Sequence, residues 1–350
     1  MQSHTIALSH LQAIYRLCAR AHGATDPQAE LFSDCLSMGD LRHPTQGASL
    51  FCEFLLPLLQ NGRIHFHAPP LTDVTPSVTT VDAGHCAGQI IASHAMDAAI
   101  ERADLFGIGM SLVRNAGDIG MASVYAMRAL RHNAIGVVVS RGAAPLVAPW
   151  GSSQGVFGTN PISVAVPSDR SPPIVVDMSP AVYSVGTLVE AARQGAQSRS
   201  ASVVDLDGEY LTEPAAIVSD LDRREPPLAG FLLPEGVKAS ALLVAMEMLA
   251  GGLNDAQSVE CEKGAHTASC CLIAIQPAKV GMVGFNEYVD RFIERFAGLK
   301  PAKGFSSVLL PGQRAFMRER ERRMNGIPVR QDHWETLCKI EMGTTSRCKD

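Results

Sequence analysis

No run in this sequence approaches the roughly 18 apolar residues of a membrane span. The opening MQSHTIALSHLQAIYRLC lacks a basic stretch followed by an apolar core, so no secretory signal is expected. No basic stripe is present either: 30 Lys and Arg face 35 Asp and Glu, and the net charge of -5 argues against a polyanion such as nucleic acid. The densest arginine run, RERERR over Arg318 to Arg323, interleaves glutamate and reads as a solvated helix face. Nine cysteines, an odd number, show no CxxC spacing, so neither a zinc site nor a disulfide framework is expected, and reduced thiols in the cytoplasm are. Cys270 and Cys271 are adjacent in an apolar run and should point to opposite faces of a strand. Also missing is a GxGxxG turn. The nearest candidates, Gly107-Ile108-Gly109 and Gly117-Asp118-Ile119-Gly120, have the wrong spacing, so any dinucleotide must be held by a device other than the Rossmann motif. There is no internal repeat and no low-complexity segment.

What is present is an ordinary globular chain of 350 residues, 46% hydrophobic and 19% charged, long enough for two domains. Residues 1–62 read as helices, with Leu11, Ile14 and Cys18 at helical spacing and Asp26-Pro27 marking a second helix start. Residues 63–73 look like a connection. The middle alternates: a helix around Ile91 to Ala103, a strand at Ile108 to Val113, a helix at Ile119 to His132, and strands at Ala134 to Ser140, Ile162 to Val166 and Ile174 to Met178. Asp207-Gly208 reads as a turn between extended segments. Helices return at Ala239 to Leu253, Phe285 to Leu299 and Arg314 to Asn325, with one strand, Ser269 to Ile275, among them. The pattern is α/β or α+β.

Six segments carry residues suited to chemistry. Gly158-Thr159-Asn160-Pro161 sits between a Gly/Ser loop and a strand; it suits close ligand approach and equally an ordinary turn. Asp177, Met178 and Ser179 end a buried strand, where polar groups contact ligands or cap a helix. Asp118 either caps a helix beginning near Ile119 or acts as a general acid/base. His43, beside Pro44, has the pKa class for proton transfer near neutrality, although a lone His is more often structural. Lys238 stands at a helix N-terminus, an arrangement that binds phosphate. Pro311-Gly312 forms another loop before a helix.

In this order the segments resemble the type-2 malate/L-lactate dehydrogenase family, which also contains ureidoglycolate dehydrogenases, diketogulonate reductases, sulfolactate dehydrogenases and cyclic-ketimine reductases. The resemblance spans nearly the whole chain and is most specific in VAPWGSSQGVFGTNPISVAVP, IVVDMSPA, DLDGEYLTEPAA, SVLLPGQ and NGIPV. It implies a mixed, largely antiparallel sheet that binds NAD or NADP without a Rossmann motif. It also implies a helix-rich domain from residues 1–70 and 241–350, a cofactor-binding domain over 71–240, and a homodimer. Cofactor contacts would fall on Asp177, Met178, Ser179, Lys238, Pro311 and Gly312. Gly158, Thr159, Asn160 and Pro161 would lie near the nicotinamide and substrate. Arg141 and Arg114 stand as candidates for reading a 2′-phosphate.

The departures from the family pattern cluster at the reacting end. Gln46 replaces the proton-donating His, and Leu50 replaces the Arg that holds a substrate carboxylate. Asp118 replaces a second His, Val185-Gly186-Thr187 replaces Arg-Gly-Lys, and Ala239 replaces a Gly. Gln cannot shuttle protons near neutral pH and Leu cannot bind a carboxylate, so malate and lactate are not the expected substrates. The expectation is a reductase or dehydrogenase acting on an imine or another 2-oxo or 2-hydroxy compound, with Gln46 as hydrogen-bond donor and Asp118 or His43 relaying protons. Two alternatives are a non-redox lyase, isomerase or cyclase with Asp118 as base and Thr159 or Asn160 steadying an oxyanion, and a catalytically silent binding homologue.

Overall fold

The computed structural model describes residues 3–142, 144–197, 200–218, 230–255 and 267–347. Cys261 and Cys348, read above as thiols, lie outside the described residues. The two chain ends meet: strand β1 (Ser3–Ile6) pairs antiparallel with β12 (Ile327–Arg330), His4 opposite Val329. Helix Leu8–Ala21 buries Leu11, Ile14, Tyr15 and Cys18, residues three and four apart on one face. Helix Asp26–Arg42 starts where the sequence suggests. The Thr25 backbone N–H donates to Gln28 Oε1 at 2.9 Å, and Pro27 occupies the first turn, where its missing N–H costs nothing. Helix Ala48–Gln60 follows. Its middle turn, Phe51–Leu55, is π-helical. Edge-to-face contacts of Phe51 with Tyr15, at 5.1 Å, and of Phe32 with Phe66, at 5.2 Å, lie in the core shared by both chain ends.

The main sheet has seven strands: β2 (Thr72–Thr75), β3 (Val78–Asp82), β4 (Ile108–Ala116), β5 (Ile135–Gly142), β6 (Ile162–Val166), β7 (Ile174–Met178) and β11 (Ala268–Ile275), in the order β2-β3-β4-β11-β5-β6-β7. Only β3 and β4 run parallel, joined by helix Gly88–Phe106; the other pairings are antiparallel. That helix lies directly on the sheet, since a Cβ at Gly109 would fall 2.0 Å from the Ala99 carbonyl oxygen. Cys270 faces the main core, whereas Cys271 packs with Met246 and Val139 on the other side, as strand alternation requires. A small sheet, β10-β8-β9, is formed by β8 (Val203–Asp205), β9 (Tyr210–Leu211) and β10 (Gly230–Leu232), with Asp207-Gly208 at the expected turn.

The central strand β11 comes from residues 268–275, close to the strand expected there, so the sheet draws on residues outside 71–240. Two expectations are corrected. The helix expected over Ile119 to His132 starts only at Ser123 and becomes 3-10 after Ala126. Gly120 has φ +67°, outside helical space, and Asp118 Oδ1 accepts its N–H at 2.6 Å, which closes a turn instead. Finally, the segment Val237–Asn254 is long and apolar enough, by length and composition, to cross a membrane. Its Leu243, Met246 and Ala250 are buried. Its Glu247 forms an ion pair with Arg141, so it is packed as a core helix.

Candidate active site

A cavity of about 770 Å³ opens between the helices of both chain ends and the β7 edge of the sheet. Its first wall is the turn after helix Asp26–Arg42. Asp40 is buried and accepts the Tyr15 hydroxyl at 2.7 Å and the Ala48 N–H at 2.7 Å. Gly39 and Gly47 let the turn settle on the helix: a Cβ at Gly39 would lie 2.0 Å from the Gln46 carbonyl oxygen, and one at Gly47 2.0 Å from Asp40 Oδ1. Gln46 and Leu50 then reach the loop carrying Asp118. A Cβ added at Gly120 would lie 2.8 Å from Leu50 and 3.9 Å from Gln46 Oε1. Gln89 Nε2 holds that loop through the Asp118 carbonyl at 3.0 Å. The Asp118 side chain is exposed, and its carboxylate is engaged by the Gly120 N–H.

His43 faces the same cavity, with Nδ1 3.2 Å from Thr45 Oγ1. Burial, with the charges of Arg318 and Arg322, lowers its pKa to about 4. At neutral pH it is therefore a neutral imidazole and not a proton donor of the imidazolium type.

The second wall is the Gly158–Pro161 loop. Gly158, Thr159 and Pro161 line the cavity, and the Thr159 carbonyl accepts the Ser179 hydroxyl at 2.5 Å. Asn160 turns away. It is wholly buried at φ +41°, its Oδ1 accepts the Gly142 N–H at 3.3 Å, and its Nδ2 donates to Glu247 Oε2 at 3.0 Å. Asn160, expected near the nicotinamide, is thus placed behind the loop, which it shapes, and is not among the residues lining the cavity. Lys238 is likewise placed elsewhere, exposed on the first turn of helix Val237–Met246 and absent from the cavity wall.

The third wall is the end of β7. Asp177, Met178 and Ser179 all line the cavity. Asp177 accepts the Ser123 N–H at 3.0 Å, so it caps the delayed helix across the sheet edge and not the helix that follows it in sequence. Crowding by the walls raises its pKa, against the opposing hydrogen bonds of Ser123 and the charge of Arg42. Val185, Gly186 and Thr187 also line the cavity, at the start of helix Val185–Arg193, which Ser184 caps.

The arginines of the fourth wall were not anticipated. Pro311 and Gly312 line the cavity as expected, and Gly312, at φ +91°, packs so closely on β7 that a Cβ would lie 2.9 Å from the Val175 carbonyl. The helix they start, Gln313–Asn325, carries the arginine run, and one side of it faces the protein. Arg314 and Arg318 line the cavity. Arg318 Nη1 donates to the Arg42 carbonyl at 2.7 Å, and Arg322 reaches the Asp40 and His43 carbonyls. Arg42, buried to 2% exposure, pairs with Glu319 at 2.8 Å and lies over the Phe316 ring at 4.1 Å. The solvated-face reading therefore fails for Arg318 and Arg322. The available signal was the four-residue spacing of Arg314, Arg318 and Arg322, which puts them on one helix face. Among the described residues no cluster of His, Cys, Asp and Glu is arranged to hold a metal.

A cavity of this size, bordered by close-approach glycines and by arginines, fits a nicotinamide dinucleotide without a Rossmann turn. The family model for malate/L-lactate dehydrogenase matches residues 6–338. A malate/(S)-sulfolactate dehydrogenase from Methanothermus fervidus is 30% identical over 334 residues, covering 91% of this chain and 92% of that protein. The malate dehydrogenase structure from Entamoeba histolytica superposes with a TM-score of 0.90 over 98% of this chain and 99% of its own, at 20% identity, a likeness of fold. The delta1-piperideine-2-carboxylate reductase structure from Pseudomonas syringae pvar. tomato gives 0.83 over 96% of this chain and 99% of its own, at 25% identity. The chain belongs to the malate/L-lactate dehydrogenase family. It is an enzyme of the dehydrogenase/reductase kind, and the family implies a nicotinamide cofactor.

Proposed function

We propose that the protein is an NAD(P)H-dependent oxidoreductase that acts on an imine, or on a 2-oxo or 2-hydroxy compound other than malate or lactate. The observation that carries this reading is the meeting of Gln46 and Leu50 at Gly120, where an acid and a carboxylate grip would otherwise stand. Around them the cavity wall is apolar, with Leu50, Phe54, Leu58, Ile119 and Met121. The relationship to a protein named a piperideine carboxylate reductase supports the imine version. Gly158, Thr159, Pro161, Asp177, Met178, Ser179, Pro311 and Gly312 are proposed to hold the cofactor, which supplies hydride when bound.

A protonated imine needs little else. Hydride adds to the carbon of the C=N⁺ bond, the π electrons move to nitrogen, and the neutral amine forms with no acid at oxygen. Gln46 donates a hydrogen bond and orients the substrate. Asp118 and the neutral His43, both on the cavity wall, relay protons near the site. With cyclic imines, 2-oxo acids, malate and lactate offered to the purified chain, cofactor oxidation is expected with an imine or a bulkier 2-oxo acid. Malate and lactate should turn over at least about 100-fold less efficiently, the usual cost of a missing general acid. Turnover that persists with all nicotinamide removed would replace this reading by a non-redox one.

The protein is further proposed to act in the cytoplasm, a reducing setting that suits the seven described cysteines, all free thiols. It is proposed to form a homodimer. Helix Val237–Asn254 presents Leu242, Val244, Met248, Leu249 and Leu253 to the outside, opposite its packed face. Light scattering should return a dimer mass, and Met248→Glu should shift it to the monomer. A monomeric native chain at micromolar concentration rules the pairing out.

A further inference from the structure

We propose that Arg314 and Arg318, backed by Arg42, form the phosphate subsite of the bound dinucleotide, an inference that rests on the redox reading above. A dinucleotide without a Rossmann turn still needs partners for its phosphates. The cations suggested by the sequence are placed elsewhere. Lys238 is exposed outside the cavity, Arg114 pairs with Asp82 at 3.1 Å, and Arg141 is buried against Glu247 at 2.5 Å. Among the described residues, the Lys and Arg side chains of the cavity wall are Arg42, Arg314 and Arg318.

Arg314 and Arg318 are poised for an anion. Arg314 is exposed and makes no ion pair among the described residues. Arg318, one turn further on the same face, commits one N–H to the Arg42 carbonyl, and a guanidinium carries five. Arg42 is buried to 2% exposure, yet its Nε has no partner. That Nε is sealed from the cavity, so Arg42 stands behind the pair and is not itself a direct phosphate contact. The helix itself adds to the site: Gln313–Asn325 has 13 residues, and its N-terminal loop, Pro311-Gly312, lines the same part of the wall, so its free N–H groups and dipole favour an anion there. Of the nearby carboxylates, Glu319 is paired with Arg42 and Arg323, while Asp177 and Asp118 accept the backbone N–H groups of Ser123 and Gly120. Among the described residues, Arg314 and Arg318 are the cavity-lining cations without a carboxylate partner.

Phosphate chemistry of this kind belongs both to the pyrophosphate of every nicotinamide dinucleotide and to the 2′-phosphate found only in NADP. Calorimetric titration of the full chain with ADP-ribose and with 2′-phospho-ADP-ribose reads binding without turnover and separates the two. Arg314→Glu is expected to weaken binding about 10- to 100-fold, the range for a charged hydrogen bond, and Arg314→Glu with Arg318→Gln further. The affinity should also fall less steeply with added salt than in the native chain. Loss confined to the 2′-phosphorylated ligand assigns the subsite to the 2′-phosphate; equal loss for both assigns it to the pyrophosphate. Unchanged affinity in both variants, with unfolding temperatures matching the native chain, overturns the subsite alone. A native chain that binds neither ligand overturns the redox reading and the subsite together.

Discussion

Gly39→Ala is expected to lower kcat by about 100-fold while leaving the chain folded. The reason is a single approach: the new Cβ would meet the Gln46 carbonyl oxygen at 2.0 Å, a backbone atom that must retreat by more than 1 Å. A displacement of that size at a positioning residue costs on the order of 100-fold. Alanine is the better helix former by about 1 kcal/mol, so an unaided propensity argument would forecast stabilisation. Steady-state kinetics with the best imine or oxo substrate, paired with thermal unfolding, checks the outcome. Gly298→Ala is the control, because its Cβ would meet nothing closer than 3.6 Å. If Gly39→Ala turns over like the control, the seat of Gln46 has no part in catalysis.

Asp40→Ala should cost about 2–5 kcal/mol of stability. It strands the buried Tyr15 hydroxyl and the Ala48 N–H and opens a void beneath the Gln46 turn. Asp40→Asn separates charge from shape. Burial raises the Asp40 carboxyl from 3.8 to about 6, against the hydrogen bonds of Tyr15 and Ala48. A folded-state pKa above the unfolded one gives stability that is full below pH 3.8 and lost as pH rises through 6. His43 has the opposite sign: lowered from 6.5 to about 4, it gives stability that is full above pH 6.5 and lost as pH falls through 4. In the native chain the two slopes oppose each other between these limits. Asp40→Asn keeps only the His43 slope, so its stability should rise with pH over that window and exceed that of the native chain at pH 8. Urea unfolding at several pH values reads both effects. A native chain and variant with parallel pH profiles would show that Asp40 stays ionised throughout.

Much of the fold is legible in local pattern. The strands Ile162–Val166 and Ile174–Met178 are found at their expected limits, because β-branched residues bounded by proline or turn residues leave little choice. Adjacent Cys270 and Cys271 separate onto two faces for the same local reason. Gln46, Leu50 and Asp118, singled out one by one as departures from a family pattern, do converge.

Contacts between distant segments are where local reading ends. Asp118 looked like the cap of a helix, yet the cap is Asp177, 54 residues beyond Ser123, because the N–H of Ser123 faces the end of β7. Asn160 looked available to a ligand, yet Glu247 on a late helix draws its amide inward. The arginine run looked solvated, since charge alternation along a sequence says nothing of which helix face meets the rest of the protein.

By itself, then, the sequence determined the family, the mixed α/β architecture, the lack of a Rossmann turn and the residue types, Gln46, Leu50 and Asp118, on which the functional proposal rests. Each of these is written in residue type and short-range spacing. Only the tertiary structure decided which charges face the cavity. Arg42, Arg314 and Arg318 lie together there, and Lys238, Arg114 and Arg141 do not. That choice depends on how helix Gln313–Asn325 is rolled against residues more than 270 positions earlier, through hydrogen bonds from Arg318 and Arg322 to backbone carbonyls around His43. Every residue offers such carbonyls alike, so no side-chain pattern announces which ones will be met.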